Sequence, residues 1–76
     1  MYFKRLGDMR ADADKTQKEI AEYLMCNRQV YARYENGLRE VPASMLMKLA
    51  DYYETSVDYL MGRTDNPAPY ERKRKK

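Results

Sequence analysis

"TQKEIAEYLMCNRQVYARYENG", residues 16–37, is the stretch whose reading decides the fold. Thr16 is followed three residues later by Glu19, a capping box in which hydroxyl and carboxylate each satisfy the other's backbone N–H, so a helix starts there. Its apolar positions are Ile20, Ala21 and Leu24, and the small Ala21 lets another helix approach closely. After about two turns the short "MC" at 25–26 interrupts the pattern. Asn27 then suits the N-cap of a following helix, and Asn36 with Gly37 suits its end, because both tolerate the left-handed conformation there. The reading is two short helices joined by a tight turn.

Working outward, Phe3, Leu6, Met9, Arg10 and Ala13 recur at spacings of three and four, one stripe of an amphipathic helix from Tyr2 to about Ala13. "DADK" at 12–15 breaks that stripe. Beyond Gly37, Pro42 suits the first turn of a fourth helix with apolar positions Met45, Leu46, Leu49, Ala50 and Tyr53. Ser56 can cap a short fifth helix through Val57, Leu60 and Met61, with Gly62 ending it. The expected fold is all-α, a compact bundle of five short helices over residues 2–62. Residues 63–76, "RTDNPAPYERKRKK", hold two prolines and a basic run without an apolar stripe, and read as a flexible C-terminal tail. Such a tail is either simply solvated, an arm along phosphates, or a nuclear address if the source has a nucleus.

Seventy-six residues make one domain that buries only roughly 60% of its unfolded surface, with no room for a large enclosed substrate cavity. No apolar run approaches the roughly 20 residues needed to span a bilayer, and "MYFKRLGDMR" lacks the apolar block of a secretory signal, so the chain is read as cytoplasmic and away from membranes. The one cysteine, Cys26, makes no internal disulfide, and without histidine the usual zinc-ligand and general-base patterns are missing. Cys26 is expected as a small buried apolar side chain, the alternative being a reactive thiol in an electropositive, partly exposed setting. No nucleophile–base pair is visible, so neither an enzyme nor a metal or cofactor is expected. The net charge of +3 is uneven: the last six residues carry five basic and one acidic group, and the rest 10 basic against 11 acidic. A nucleic-acid case therefore rests on where the cations sit, not on a basic body.

At 100° per residue, the helix after Asn27 gathers Gln29, Ala32, Arg33 and Asn36 within about 100° of one another, with Tyr31, Tyr34 and Glu35 opposite and Arg28 flanking the polar side. These outward groups suit base edges. Arg can fork onto guanine O6 and N7, Gln onto adenine N6 and N7, and Ala32 leaves room or touches a thymine methyl. A solvated helix face can carry the same residues.

The whole run 16–37 resembles the helix-turn-helix of the Cro and CI repressor family of bacterial and phage regulators, lambda-repressor-like DNA-binding domains. The match lies in Thr16, Gln17, Ala21, Leu24, Arg28 and the sequence Arg33-Tyr34-Glu35-Asn36-Gly37. It extends through "LMKLADYYETSVDYLMG", similar to that family's fourth and fifth helices, and so covers roughly residues 6–62, with the helix-turn-helix at 17–36. The resemblance implies that the helix from Asn27 enters the major groove of double-stranded DNA while the helix from Thr16 crosses the backbone. It assigns Gln17 a phosphate and a buttressing role, Arg28, Gln29 and Arg33 base contacts with Ala32 close by, and Asn36 and Arg39 the flanking phosphates. Otherwise Gln17 is an ordinary first-turn residue and Arg39 a solvated loop cation. It further implies that Arg10, a charge on the apolar stripe, pairs with Glu35; otherwise Arg10 snorkels to water.

Three positions depart from the family pattern. Met25 stands where Gly is usual at the turn, Tyr31 where Ile or Val is usual in the core, and Lys15 where an apolar residue is frequent. Eight tyrosines invite a further reading. Tyr52, Tyr53 and Tyr59 either pack within the domain or form a patch through which two copies pair, the end from Tyr52 to Met61 serving a homodimer on DNA. The leading expectation is a sequence-specific transcriptional regulator, a repressor blocking polymerase at a palindromic operator, with a protein partner as one route for its signal. An antitoxin-like or other protein-interaction module on the same scaffold is the alternative. Binding of single strands or RNA through exposed tyrosines and the basic tail is a third reading.

Overall fold

A computed structural model of the chain describes residues 1–70, and all regular structure among them is helical. Five helices follow one another: α1 Lys4–Asp12, α2 Gln17–Leu24, α3 Arg28–Glu35, α4 Ala43–Tyr52 and α5 Val57–Leu60. The basic run expected to form the end of the tail, residues 71–76, lies outside the described residues.

The starts of these helices follow the side chains. Thr16 and Glu19 form the full capping box, with the Glu19 N–H donating to Thr16 Oγ1 at 3.1 Å and the Thr16 N–H to Glu19 Oε1 at 2.8 Å. Asn27 Oδ1 accepts from the Val30 N–H at 2.8 Å, and Ser56 Oγ from the Tyr59 N–H at 3.0 Å. Each cap satisfies an otherwise orphaned donor, a contribution of about 1 kcal/mol. Two starts have no side-chain cap. Pro42 sits just ahead of the first turn of α4, and Phe3, expected inside α1, precedes it in an extended conformation that tucks its ring into the core.

The helix ends share one device. The chain leaves α1, α2, α3, α4 and α5 through Asp14, Met25, Gly37, Glu54 and Gly62, all at positive φ, and these are the positive-φ residues of the described chain. Every exit closes with backbone bonds to the last turn, such as Cys26 N–H to Ala21 O and Thr55 N–H to Ala50 O. At Gly37 a side chain is excluded twice, by φ of 77° and because a Cβ would meet Tyr2 Cβ at 2.8 Å. The three non-glycine exits, Asp14, Met25 and Glu54, place an ordinary side chain in the left-handed region, at a cost of about 1 kcal/mol each.

One large side chain from each helix is fully buried: Leu6, Ile20, Tyr31, Leu49 and Leu60. Around this centre α2 packs on α3, α4 on α5, and α1 spans α3 and α5. Cys26, expected buried, keeps part of its surface while packing on the core from the turn, and burial pushes its thiol pKa up. After α5 the chain doubles back: the Thr55 hydroxyl donates to the Pro67 carbonyl at 2.7 Å and the Tyr70 hydroxyl to Asp58 Oδ2 at 2.5 Å.

The exit at Met25 tests this reading of helix ends. Its side chain is 87% exposed, so removing it loses little packing. Met25→Gly is expected to raise stability by about 0.5–1 kcal/mol, a thermal midpoint a few degrees higher. A midpoint that falls would mean that the turn carries no strain.

Candidate nucleic-acid interface

The placement of α3 begins with a buried charge. Glu35 is 7% exposed at the end of α3, and Arg10 of α1 grips it with both arms of its fork: Nε to Oε2 at 2.8 Å and Nη2 to Oε1 at 2.9 Å. The remaining Arg10 arm, Nη1, donates to the Lys15 carbonyl at 2.8 Å, which ties the loop before α2 to the same cation. Gln17 Nε2 adds a third donor to Glu35, 3.2 Å from Oε1. A planar fork on a carboxylate fixes distance and orientation together, so α1, α2 and α3 are held in one relation. The pair that the sequence resemblance implied is present, and Arg10 does not snorkel.

Room for this pair comes from Gly7. A Cβ there would lie 3.3 Å from Glu35 Oε1, so α1 approaches the carboxylate through a side chain it lacks. Tyr31 fills the core position beneath, its hydroxyl buried near Glu35 but outside hydrogen-bond geometry. Burial pushes the Tyr31 phenol pKa up strongly. Burial alone would also raise Glu35, but the donors from Arg10 and Gln17 and the guanidinium charge outweigh it and hold its carboxyl below the usual carboxylate range.

With its inner side fixed in this way, α3 presents the opposite side to solvent. Arg28, Gln29 and Arg33 are exposed, Asn27 and Asn36 are exposed at the two ends, and Ala32 is half-buried between them. The side chains of Arg28, Gln29 and Arg33 form no hydrogen bond or ion pair with another described residue. Arg39, beyond the helix, is exposed with its guanidinium 5.8 Å from the centre of the Tyr34 ring, within reach of a cation–π contact. Asn27, Arg28, Gln29, Ala32, Arg33 and Asn36 therefore share one accessible strip, with Arg39 just past its end. Gln17 differs from them: half-buried, its amide is engaged by Glu35.

The cations are unevenly used. Lys4, Arg5, Arg10 and Arg63 sit in ion pairs with Asp8, Asp65, Glu35 and Asp58. Among the described residues, the side-chain cations outside ion pairs are Lys15, Lys18, Arg28, Arg33, Arg39 and Lys48, all from the loop before α2 to the middle of α4. A body without net positive charge thus concentrates its unpaired positive groups around α2 and α3. Among the described residues no group of His, Cys, Asp and Glu could hold a metal, and no helix is long and apolar enough to cross a membrane.

Two features of the site were not legible in the sequence. The bond from Gln17 to Glu35 links residues 18 apart and depends on the crossing of α2 over α3. The permissive role of Gly7 carried no signal, since a glycine within an α1 stripe reads only as a weak helix former.

Comparison with known proteins bears on this geometry. A family model described as helix-turn-helix matches residues 6–60. An uncharacterised helix-turn-helix-type transcriptional regulator of Bacillus subtilis strain 168, YobD, is 38% identical over 69 residues, 91% of this chain and 62% of its own. The helix-turn-helix-type transcriptional regulator ImmR of the same organism is 39% identical over 62 residues, 82% of this chain and 49% of its own. The cryptic phage CTXphi transcriptional repressor RstR of Vibrio cholerae is 35% identical over 60 residues, 79% and 54% of the two chains. The chain spans about half to three-fifths of the length of these curated relatives. No solved structure matches it significantly.

The pair at the centre of the site makes a prediction with a sign. Because the folded pKa of Glu35 is depressed, its contribution is fully present above the unfolded carboxylate value near 4.3 and is lost as pH falls through the folded value. Arg10→Met leaves a buried carboxylate without its cation, which raises that pKa and reverses the slope. At pH 7 this variant is expected to lose about 3 kcal/mol, the low end for a buried pair because Arg10 keeps 21% of its surface in water. The gap between parent and variant thermal midpoints should narrow from pH 7 to pH 3; a constant gap would show that Glu35 does not depend on Arg10.

Proposed function

The chain belongs to the helix-turn-helix family of Cro/CI type, and from that premise we propose that it is a sequence-specific regulator of transcription that binds double-stranded DNA and reads the major groove with α3. The observation that carries this reading is the strip on α3. Arg28, Gln29 and Arg33 face solvent without partners while Glu35 and Tyr34 of the same helix are anchored in the interior. On a firmly held helix the backbone needs no ordering when these side chains meet base edges, and the cost that remains is that of fixing their own rotamers.

In this reading Arg33 and Arg28 fork onto guanine, Gln29 pairs with adenine, and Ala32 leaves space for a thymine methyl. Asn27, Asn36 and Arg39 hold phosphates at the two ends of the strip, and the exposed N-terminus of α2 takes another. Gln17 acts there chiefly as the buttress, since its amide already serves Glu35. The chain represses by occupying an operator. It works as a pair, two copies meeting through the end from Tyr52 to Met61, where Tyr52, Tyr59 and Met61 keep part of their surface exposed. Two reading helices about 34 Å apart would then meet successive turns of one duplex face. Family membership supports a DNA-binding regulator and not an enzyme.

One observation favours a protein-interaction module as the second reading. Tyr23 of α2 and Met47 of α4 are exposed apolar side chains on neighbouring helices, the Tyr23 hydroxyl donating to the Lys48 carbonyl at 3.0 Å. Co-purification of a stoichiometric protein partner that is lost with Met47→Lys, with no duplex selected from a random pool, would favour it.

Selection of bound duplexes from a random pool gives both the motif and the half-site spacing. On the selected site, Arg33→Ala is expected to cost about 1–3 kcal/mol and to relax preference at one base pair. Arg39→Ala should weaken all duplexes alike and flatten the salt dependence by about one unit of slope, read by fluorescence anisotropy across a salt series. Full preference retained by Arg33→Ala would remove it from the reading set.

A further inference from the structure

The shortest helix, α5, draws support from outside itself. It is a single turn of four residues, too short to hold itself. Its Tyr59 carbonyl, which already accepts from the Gly62 N–H, takes a second donor from α1. Arg5 Nη1 donates to the Tyr59 carbonyl at 2.9 Å, and its guanidinium lies over the Tyr59 ring with Cζ 4.0 Å from the centre. The same Arg5 Nη1 donates to the Thr64 carbonyl at 2.5 Å, and Nη2 to Asp65 Oδ1 at 2.7 Å. One side chain of α1 thus holds both the end of α5 and the segment that follows it.

That segment runs back beside α5. From Thr64 and Asp65 at Arg5 it reaches Thr55, whose hydroxyl donates to the Pro67 carbonyl, and then Asp58, which accepts from Tyr70. The anchor at Thr55 is itself 5% exposed, a buried hydroxyl whose partner is this segment. Without Pro67 the hydroxyl would be a buried polar group in need of another acceptor. The segment itself lies beyond residue 60, where the family match ends.

We propose that residues 63–70 form a strap that clamps α5 onto α1, and that Arg5 is the positioning residue through which the strap sets the face used for pairing. The inference rests on the pairing of two copies through α4 and α5. A face built on one helical turn must be held in place before a second copy meets it, because any ordering left to the moment of contact weakens association. Arg5 belongs to α1, outside both the reading strip of α3 and the end from Tyr52 to Met61. Its effect passes through Tyr59 and the strap, so loss of Arg5 should weaken the pair while leaving each reading helix intact.

The test uses the full chain with Arg5→Met, Arg5→Lys and Thr55→Val, a full operator from duplex selection and a duplex carrying one half-site. Hydrogen exchange follows the Leu60, Met61 and Arg63 amides, which donate to Ser56, Val57 and Asp58. Arg5→Met is expected to lower protection of these amides at least tenfold and to lower affinity for the full operator about tenfold, with half-site affinity changed less than twofold. Thr55→Val should move both readouts in the same direction. Arg5→Lys, which can serve one carbonyl but not bridge to Asp65, should fall between parent and Arg5→Met. Unchanged protection in Arg5→Met would overturn the clamp, and lost protection with an unchanged ratio of operator to half-site affinity would overturn its link to pairing. A parent that binds operator and half-site equally would instead refute the pairing reading, a result distinguishable because the exchange data still judge the clamp.

Discussion

The bidentate grip of Arg10 on Glu35 is the interaction on which the rest of the structure depends. It joins the first helix to the inner side of the third, draws in the loop before α2 through the Lys15 carbonyl, and is completed from α2 by Gln17. In so small a domain a tie of this kind carries weight that hydrophobic contact alone cannot, because its direction is fixed by the planes of guanidinium and carboxylate. Desolvating two charges works against it, and the full set of donors around Glu35 is what keeps the carboxylate ionised. The exposed strip on α3 is the reverse side of this arrangement. Its residues are free because the other side is held.

A second constraint is the economy of short helices. None exceeds ten residues, so local propensity contributes little and each helix persists through its caps, its exit and one buried anchor. Leu6, Ile20, Tyr31, Leu49 and Leu60 supply those anchors, one to a helix. Left-handed exits let the chain reverse at once and keep the connections brief, and three of them accept strain on Asp14, Met25 and Glu54 for that compactness. α5 extends the same logic, borrowing its stability from Arg5 and the segment behind it.

Much of this was legible because it is local. Thr16 with Glu19, Asn27 and Ser56 announce helix starts through chemistry contained within four residues, and the three-and-four spacing picks out Leu6, Ile20, Leu49 and Leu60 as core. The pairing of Arg10 with Glu35 was foreseen only through resemblance to a family, with the helical spacing pointing Glu35 inward. The exits at Asp14 and Glu54 escaped because Asp signals positive φ far more weakly than glycine does and Glu does not signal it. The return of residues 63–70 escaped because prolines and charges without an apolar stripe read as a tail, whereas what anchors them is a set of carbonyls and hydroxyls facing Arg5, Thr55 and Asp58. Contacts made through the backbone leave little trace in the pattern of side chains.

The central claim is that the outer strip of α3 is the surface that meets DNA. It is tested most directly by titrating the isotopically labelled full chain with the selected duplex and following the Gln29 side-chain amide and the Arg33 Nε–H by NMR. These two groups should shift first and furthest, together with the Arg28 and Asn36 signals, while the buried Leu49 and Leu60 amides hold their positions. Saturable binding that leaves Gln29 and Arg33 unmoved and perturbs the face of α4 and α5 instead would contradict it.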